Sequence, residues 1–476
     1  MRLNYISITI FILTFSLAGC RKFVEVEAPK TQLVTAKVFG NNESATAALL
    51  NIYPQMMGTK EPSPYQMGLY LGLSADELKN YWNTLDQIYT NNLNALDAPT
   101  NSIWLSAYQY IYQANAVYEG CNASQTLSPN VKKQLIAEAL FIRSFWYFYL
   151  VNLYGDVPLI TSTDYLINGN AKRDAQSSIY NQIVADLLLA KQDLSEDYLD
   201  AKYIVSTQRL RPNKYAAMAL LARTYLFMGK YSEAEAEASS IIEETNLYTT
   251  ELPLSEVFLV NSKEAIWQLS PADYTEGSLM NTSEGKGFVL TDVPATYSLF
   301  NCSSISKSLL DSFEPNDLRK TNWIGIFSSA GTDYFYPAKY KVVNATSISE
   351  YSVVLRLAEQ YLIRAEARAQ LGNLPGAIAD LDVIRGRANL PLIADTKPNI
   401  TKAELLTSIL HERQIELFTE WGHRWLDLKR TKSIENVMGS VTPDKGGIWK
   451  SEKQLLPLPL TELKNDPNLI QNKGYN

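Results

Sequence analysis

The sequence predicts a mainly α fold: a scaffold of tetratricopeptide-like helix pairs, joined to an irregular, loop-rich lobe that contains short strands. Three observations predict it. In the long apolar run Gln134–Ile160, residues Leu135, Ala139, Ile142, Trp146, Tyr149 and Leu153 recur at helical spacing. Two stretches, Lys214–Thr245 and Leu355–Ala388, echo one another as helix pairs joined at a glycine. Between them, Leu247–Glu350 becomes rich in Gly, Ser, Thr and Tyr and carries only short strand-like runs.

In chain order, Arg2 precedes an apolar run, Ile6–Leu17, that is too short to span a bilayer and fits a signal-peptide core. It ends in Leu17-Ala18-Gly19-Cys20, which resembles the lipobox of bacterial lipoproteins. The expectation is removal of residues 1–19 and acylation of Cys20, with 20–36 as lipidated cysteine and extended tether and 37–476 as a single body. Ser44–Met57 reads as helix, complicated by Pro54. Gly58–Ala75 is punctuated by Pro62, Pro64, Gly68 and Gly72 and reads as loop, within a loop-rich ligand region of about 58–100. Ser74–Asn83 is polar and carries an exposed-looking Tyr81-Trp82 pair. Asn101–Gly120 is helical, with Trp104 on its core face.

The Gln134 helix has Leu140, Phe141, Phe145 and Phe148 on its other sides, so it is expected to be enclosed. Arg143 within it must be paired or stacked, and Gly155 with Pro158 should stop the helix. Ser177–Leu194 comes next at helical spacing. A shift of 143 residues superposes Ala222 on Ala365, Gly229 on Gly372, Ala234 on Ala377 and Ile241 on Ile384. Such pairs cannot bury their faces alone. The Gln134 and Ser177 helices, and Thr401–Trp421 with the segment C-terminal to it, are the expected stacking partners. Ala265–Leu269 and Tyr334–Val343 read as strands of the 247–350 lobe, and Leu405–Lys429 as one amphipathic helical stretch.

Composition narrows function. A net charge of −7, one unit more acidic once Arg2 is removed, argues against an electrostatic nucleic-acid binder. No later stretch is apolar enough to span a membrane. Of three cysteines, Cys121 and Cys302 remain beside the anchor and are expected as free thiols. His411-Glu412 opens a zinc-protease motif that fails at Ile415, and no nucleophile elbow, Walker loop or complete dinucleotide fingerprint occurs. The pair Glu412/Glu416 reads as a solvated or ion-paired helix face. No enzyme, cofactor or metal is expected.

Several motifs carry a resemblance. Ala137-Glu138, Phe141, Arg143 and the run Leu153-Tyr154-Gly155-Asp156-Val157-Pro158-Leu159 resemble the signature helix of the SusD/RagB family. Glu412-Arg413, Glu416-Leu417 and Arg424-Trp425 with Asp427-Leu428 resemble later family elements. The tail from Leu456-Pro457 to Asn468-Leu469-Ile470-Gln471-Asn472 resembles its closing motif, with Asp466 at a position where the family has Asn. The resemblance implies a lipid-anchored outer-membrane protein, facing the cell exterior, that captures a nutrient for a SusC-like TonB-dependent transporter barrel. It also implies one compact body with the ligand site on the less regular lobe. An oligosaccharide is the expected ligand, since sugars need flat aromatics for CH faces and Asn, Asp or Arg for hydroxyls. Asp76, Asn80, Tyr81, Trp82 and Asn83 supply that mixture, and Tyr65, Tyr70, Tyr274 and Trp323 are candidates to join them. A peptide ligand, or a repeat scaffold without ligand, are the alternatives, and a glycoside hydrolase has no motif in its favour.

Overall fold

A computed structural model describes residues 35–57, 62–96, 99–271 and 281–475. The signal sequence, Cys20, almost all of the tether and Tyr274 lie outside the described residues.

Helix α1 (Pro64–Ser74) occupies most of the stretch expected to be loop. Ser63 Oγ accepts from the Gln66 N–H while Gln66 Oε1 accepts from the Ser63 N–H, and Pro64 suits the first turn. Every residue of α1 is buried. A Cβ at Gly68 would stand 2.3 Å from the Thr419 carbonyl oxygen, so the glycine permits backbone contact across the fold. What reads as loop punctuation is a cap and a close approach.

Helices α2 (Asn101–Ala123), α3 (Pro129–Tyr154) and α4 (Gln176–Asp193) pack side by side. As expected, α3 is enclosed, and Trp104 on α2 is core. Arg143 is satisfied: Nε and Nη2 donate to Asp186 at 2.8 Å each, Nη1 donates to Asn115 at 2.9 Å, and Tyr118 lies beside the guanidinium. Gly155, at φ +79°, ends the helix.

Helices α5 (Lys214–Phe227) and α6 (Tyr231–Ile242) form one repeat, and α7 (Leu357–Leu371) with α8 (Leu374–Arg387) the other. Their turn glycines, Gly229 and Gly372, both adopt positive φ. α4 packs on α5 and α6 on α7, so the pairs stack, and α9 (Lys402–Leu417) covers α7 and α8. The stretch expected as one helix to Lys429 breaks after Leu417. Thr419, Trp421 and Gly422 take positive φ before α10 (His423–Arg430) begins. The break lets Gly422 and the Thr419 carbonyl seat against α1.

Strand β1 (Leu78–Asn80), β2 (Ala265–Leu269), β3 (Ser303–Ile305), β4 (Ile324–Ser329), β5 (Thr332–Pro337) and β6 (Ser352–Arg356) form three two-stranded sheets. The pairs are β1–β3, β2–β6 and β4–β5, all antiparallel. β5 starts two residues before the expected Tyr334 and stops at Pro337, which has no N–H of its own to donate. β2 lies against α3, its Trp267 ring edge-on to Phe141 and Phe145 at 4.9 and 5.4 Å.

The lobe has its own smaller core, in which Val257, Phe258, Leu309 and Trp323 meet Ile415 and Phe418 from the end of α9. Beneath it lies a buried charge network. Glu416 accepts from Arg356 at 2.6 Å, from Arg319 at 2.9 Å and from Arg387. Glu264, Asp317, Glu412 and Glu420 supply the remaining carboxylates. Glu412/Glu416 is therefore ion-paired and buried rather than solvated. Cys121 and Cys302 are buried, unpaired thiols. Among the described residues no helix is long and apolar enough to cross a membrane.

Candidate functional site

The candidate site lies where the loop after α1 meets the lobe strands. β1 pairs with β3, and the Tyr81 N–H continues the ladder by donating to the Cys302 carbonyl at 3.0 Å. β5 lies next to β3. The β4–β5 hairpin turns at Ala330-Gly331, both at positive φ, the geometry of a two-residue turn that matches strand twist.

Register then sorts the hairpin's side chains. Phe327 stands opposite Tyr334 and Gly325 opposite Tyr336, so these share one face. Ile324 and Phe335 turn to the other face and pack on the lobe core. A Cβ at Gly325 would meet the Tyr336 ring at 2.2 Å, so only glycine lets that ring lie across the neighbouring strand. Tyr81 meets Tyr334 edge-on, ring centres 6.0 Å apart. Its hydroxyl is 3.2 Å from Ser304 Oγ, and Lys79 Nζ sits 5.0 Å from its ring centre. Tyr81, Phe327, Tyr334 and Tyr336 thus form a half-exposed aromatic face.

The expected ligand residues divide. Trp82 is half-buried and packs on the main core, close in sequence to the exposed Asn83. Asn80 holds the loop rather than reaching outward: Nδ2 donates to the Trp82 carbonyl at 2.9 Å and to Asp86 at 2.8 Å. Four others are interior. Asp76 is buried and accepts from Arg424 Nε and Nη2 at 2.8 Å each; burial would raise its pKa, but the guanidinium holds it below the ordinary carboxylate value. Tyr65 lies against Phe288 and Phe300 and donates its hydroxyl to the Leu299 carbonyl. Tyr70 is fully buried within α1. Trp323 is fully buried, its indole N–H donating to the Leu254 carbonyl at 2.9 Å. Each is explained by packing or pairing and stands apart from the aromatic face.

Next to Asp76, Glu77 is also buried. Burial, and then the Asp76 charge, push its carboxyl up to about 8, and one of its oxygens has no hydrogen-bond partner. Sequence reasoning missed Tyr334 and Tyr336. Their signal was the alternation Tyr334-Phe335-Tyr336 after an Ala-Gly turn, which puts two tyrosines on one side of a strand. Among the described residues no group of three or more His, Cys, Asp and Glu side chains is arranged to hold a metal ion.

Known proteins share this architecture. Residues 315–475 match the model of the SusD family, and residues 22–226 match a model described as "Starch-binding associating with outer membrane". The SusD-like protein P38 of Formosa agariphila is 26% identical, with 99% of each chain covered. A SusD superfamily protein from Bacteroides vulgatus superposes with a TM-score of 0.77 at 21% identity, covering 91% of this chain and 99% of that one. A laminarin-binding SusD-like protein superposes at 0.73 and 22% identity, covering 91% and 99%. These likenesses settle the fold, and the two family matches span both ends of it. The chain belongs to the SusD/RagB family.

Proposed function

We propose that this protein binds an oligosaccharide on the face formed by Tyr81, Phe327, Tyr334 and Tyr336, and delivers it to a TonB-dependent outer-membrane transporter. The observation that carries this reading is the hairpin register, which exposes two tyrosines beside Tyr81 although the apolar demand of the lobe core is met on the opposite face. Aromatic planes suit the CH faces of pyranose rings, and Lys79, whose ammonium lies 5.0 Å from the Tyr81 ring centre, supplies a donor for the hydroxyls. The laminarin-binding relative and the family description support a glycan as ligand. In this reading acylated Cys20 holds the body to the outer membrane, facing outward, and the transporter barrel is the partner.

The test is glycan binding by the mature chain. Tyr334→Ala and Tyr81→Ala should each weaken a bound oligosaccharide by about thirtyfold, as removal of a central aromatic anchor costs about 2 kcal/mol. Thermal stability should hold, because both rings are half exposed. A glycan bound equally well by the wild type and both variants would sink the assignment. Mild detergent extraction should bring down a large β-barrel with the protein, and recovery of free monomer only would count against the transporter.

A further inference from the structure

A second cavity lies on the helical scaffold, away from the aromatic face. It encloses about 340 Å³ between α3, α4, α10 and the end of α5, within the ~300–1,000 Å³ typical of small-molecule sites. Phe227 and Tyr180 give it aromatic walls. The exposed Gln176 and the half-buried Gln454 line it with side-chain amides that make no hydrogen bond to other described residues.

Lys429 also lines this cavity. Its ammonium donates to the Asn152 carbonyl and, among the described residues, pairs with no carboxylate. The other charged lining residue, Arg430, is held by Glu366 and Asp427, the neutral Tyr180 hydroxyl donates to Asn152, and the Asp156 carboxylate accepts from the Gln176 N–H. Burial pushes the Lys429 ammonium down to about 7, since no neighbour offsets the lost hydration. A half-buried cation with no carboxylate partner among the described residues, beside two side-chain amides and aromatic walls, describes the complement of a ligand with a carboxylate, several hydroxyls and a CH face.

We propose that this cavity binds a uronic acid residue, with its carboxylate on Lys429, its hydroxyls on Gln176 and Gln454, and its ring against Phe227. A wider cavity of about 730 Å³ adjoins across Phe227 and Arg430 and carries the exposed Lys432, leaving room for the next sugar of an acidic chain. This site is independent of the aromatic face: Tyr81 and Tyr334 line neither cavity.

The test is calorimetric titration of the mature chain with D-glucuronate and D-galacturonate, beside glucose, galactose and acetate. At least one uronate should saturate, at least tenfold tighter than its neutral hexose and than acetate. Its affinity should fall as pH rises above 7, because the carboxylate needs the protonated lysine. Lys429→Met should lose at least tenfold while Tyr334→Ala binds the uronate unchanged, which separates this site from the glycan face. Reductive ¹³C-methylation followed by NMR should show the Lys429 resonance titrating near 7 in the free protein and higher with uronate. Absence of saturation, equal binding of hexose or acetate, or unchanged binding by Lys429→Met would overturn the proposal.

Discussion

Replacing Glu416 by Gln tests what joins the lobe to the scaffold. The side chain is wholly buried and accepts from three guanidinium groups, those of Arg319, Arg356 and Arg387. Gln keeps the shape but removes the charge, leaving three buried cations short of a counter-ion. Removing one partner from a buried ion pair costs about 3–5 kcal/mol. The roughly 440-residue body, at about 2.1 cal/mol/K per residue, unfolds with an entropy near 0.9 kcal/mol/K. The melting temperature of Glu416→Gln should therefore fall by about 3–5 °C in calorimetry at pH 7. The pH dependence has a sign. Burial raises the Glu416 pKa, but Arg387, Arg356 and Arg319 more than reverse this and hold it well below the ordinary value. Its contribution is thus complete above the unfolded value near 4.3 and is lost only as pH falls through the lower folded value. The deficit should be equal at pH 7 and pH 5 and shrink in stronger acid. A deficit under 1 °C at pH 7, or one that halves between pH 7 and 5, would refute the reasoning.

Glu77 runs the other way. Its folded pKa is raised to about 8, so its favourable contribution is complete below about 4.5 and lost as pH rises toward 8. Glu77→Gln should raise the melting temperature at pH 8 and leave it unchanged at pH 4. Gly422→Ala should cost about 2 kcal/mol or more, seen as lower thermal stability, because φ is +74° and the new Cβ would sit 2.1 Å from Leu71. Cys20→Ala should abolish labelling by radioactive palmitate and release the protein from the outer membrane; a variant that still takes up label would refute the lipobox reading.

How much could be read from the sequence depended on distance along the chain. α3 was legible because its own periodicity and its Gly155 stop are local, and the two helix pairs because their small residues repeat in register. α1 was not, because Pro64 and Gly68 read as loop residues until Thr419 is known to press on Gly68. Asp76 read as a sugar ligand because its partner, Arg424, lies 348 residues away. Trp323 and Tyr65 failed for the same reason, since an aromatic without a periodic pattern gives no sign of its burial. The Tyr81-Trp82 loop stood out because no helical face claims it. Tyr334 and Tyr336 fell in a stretch read as strand, but their shared face emerged only once the Ala330-Gly331 turn set the register.

The lobe core closes only when Ile415 and Phe418 arrive, although its strands begin at Leu78. A ribosome working from the N-terminus therefore releases every strand of the aromatic face before the residues that complete the core beneath it. β1 must also wait for β3, more than two hundred residues later. Long-range closure of this kind is slow and leaves strand edges open meanwhile. Chains truncated before α9 should accumulate as aggregation-prone, ligand-inactive fragments, and unfinished chains should depend on chaperones until Phe418 is made.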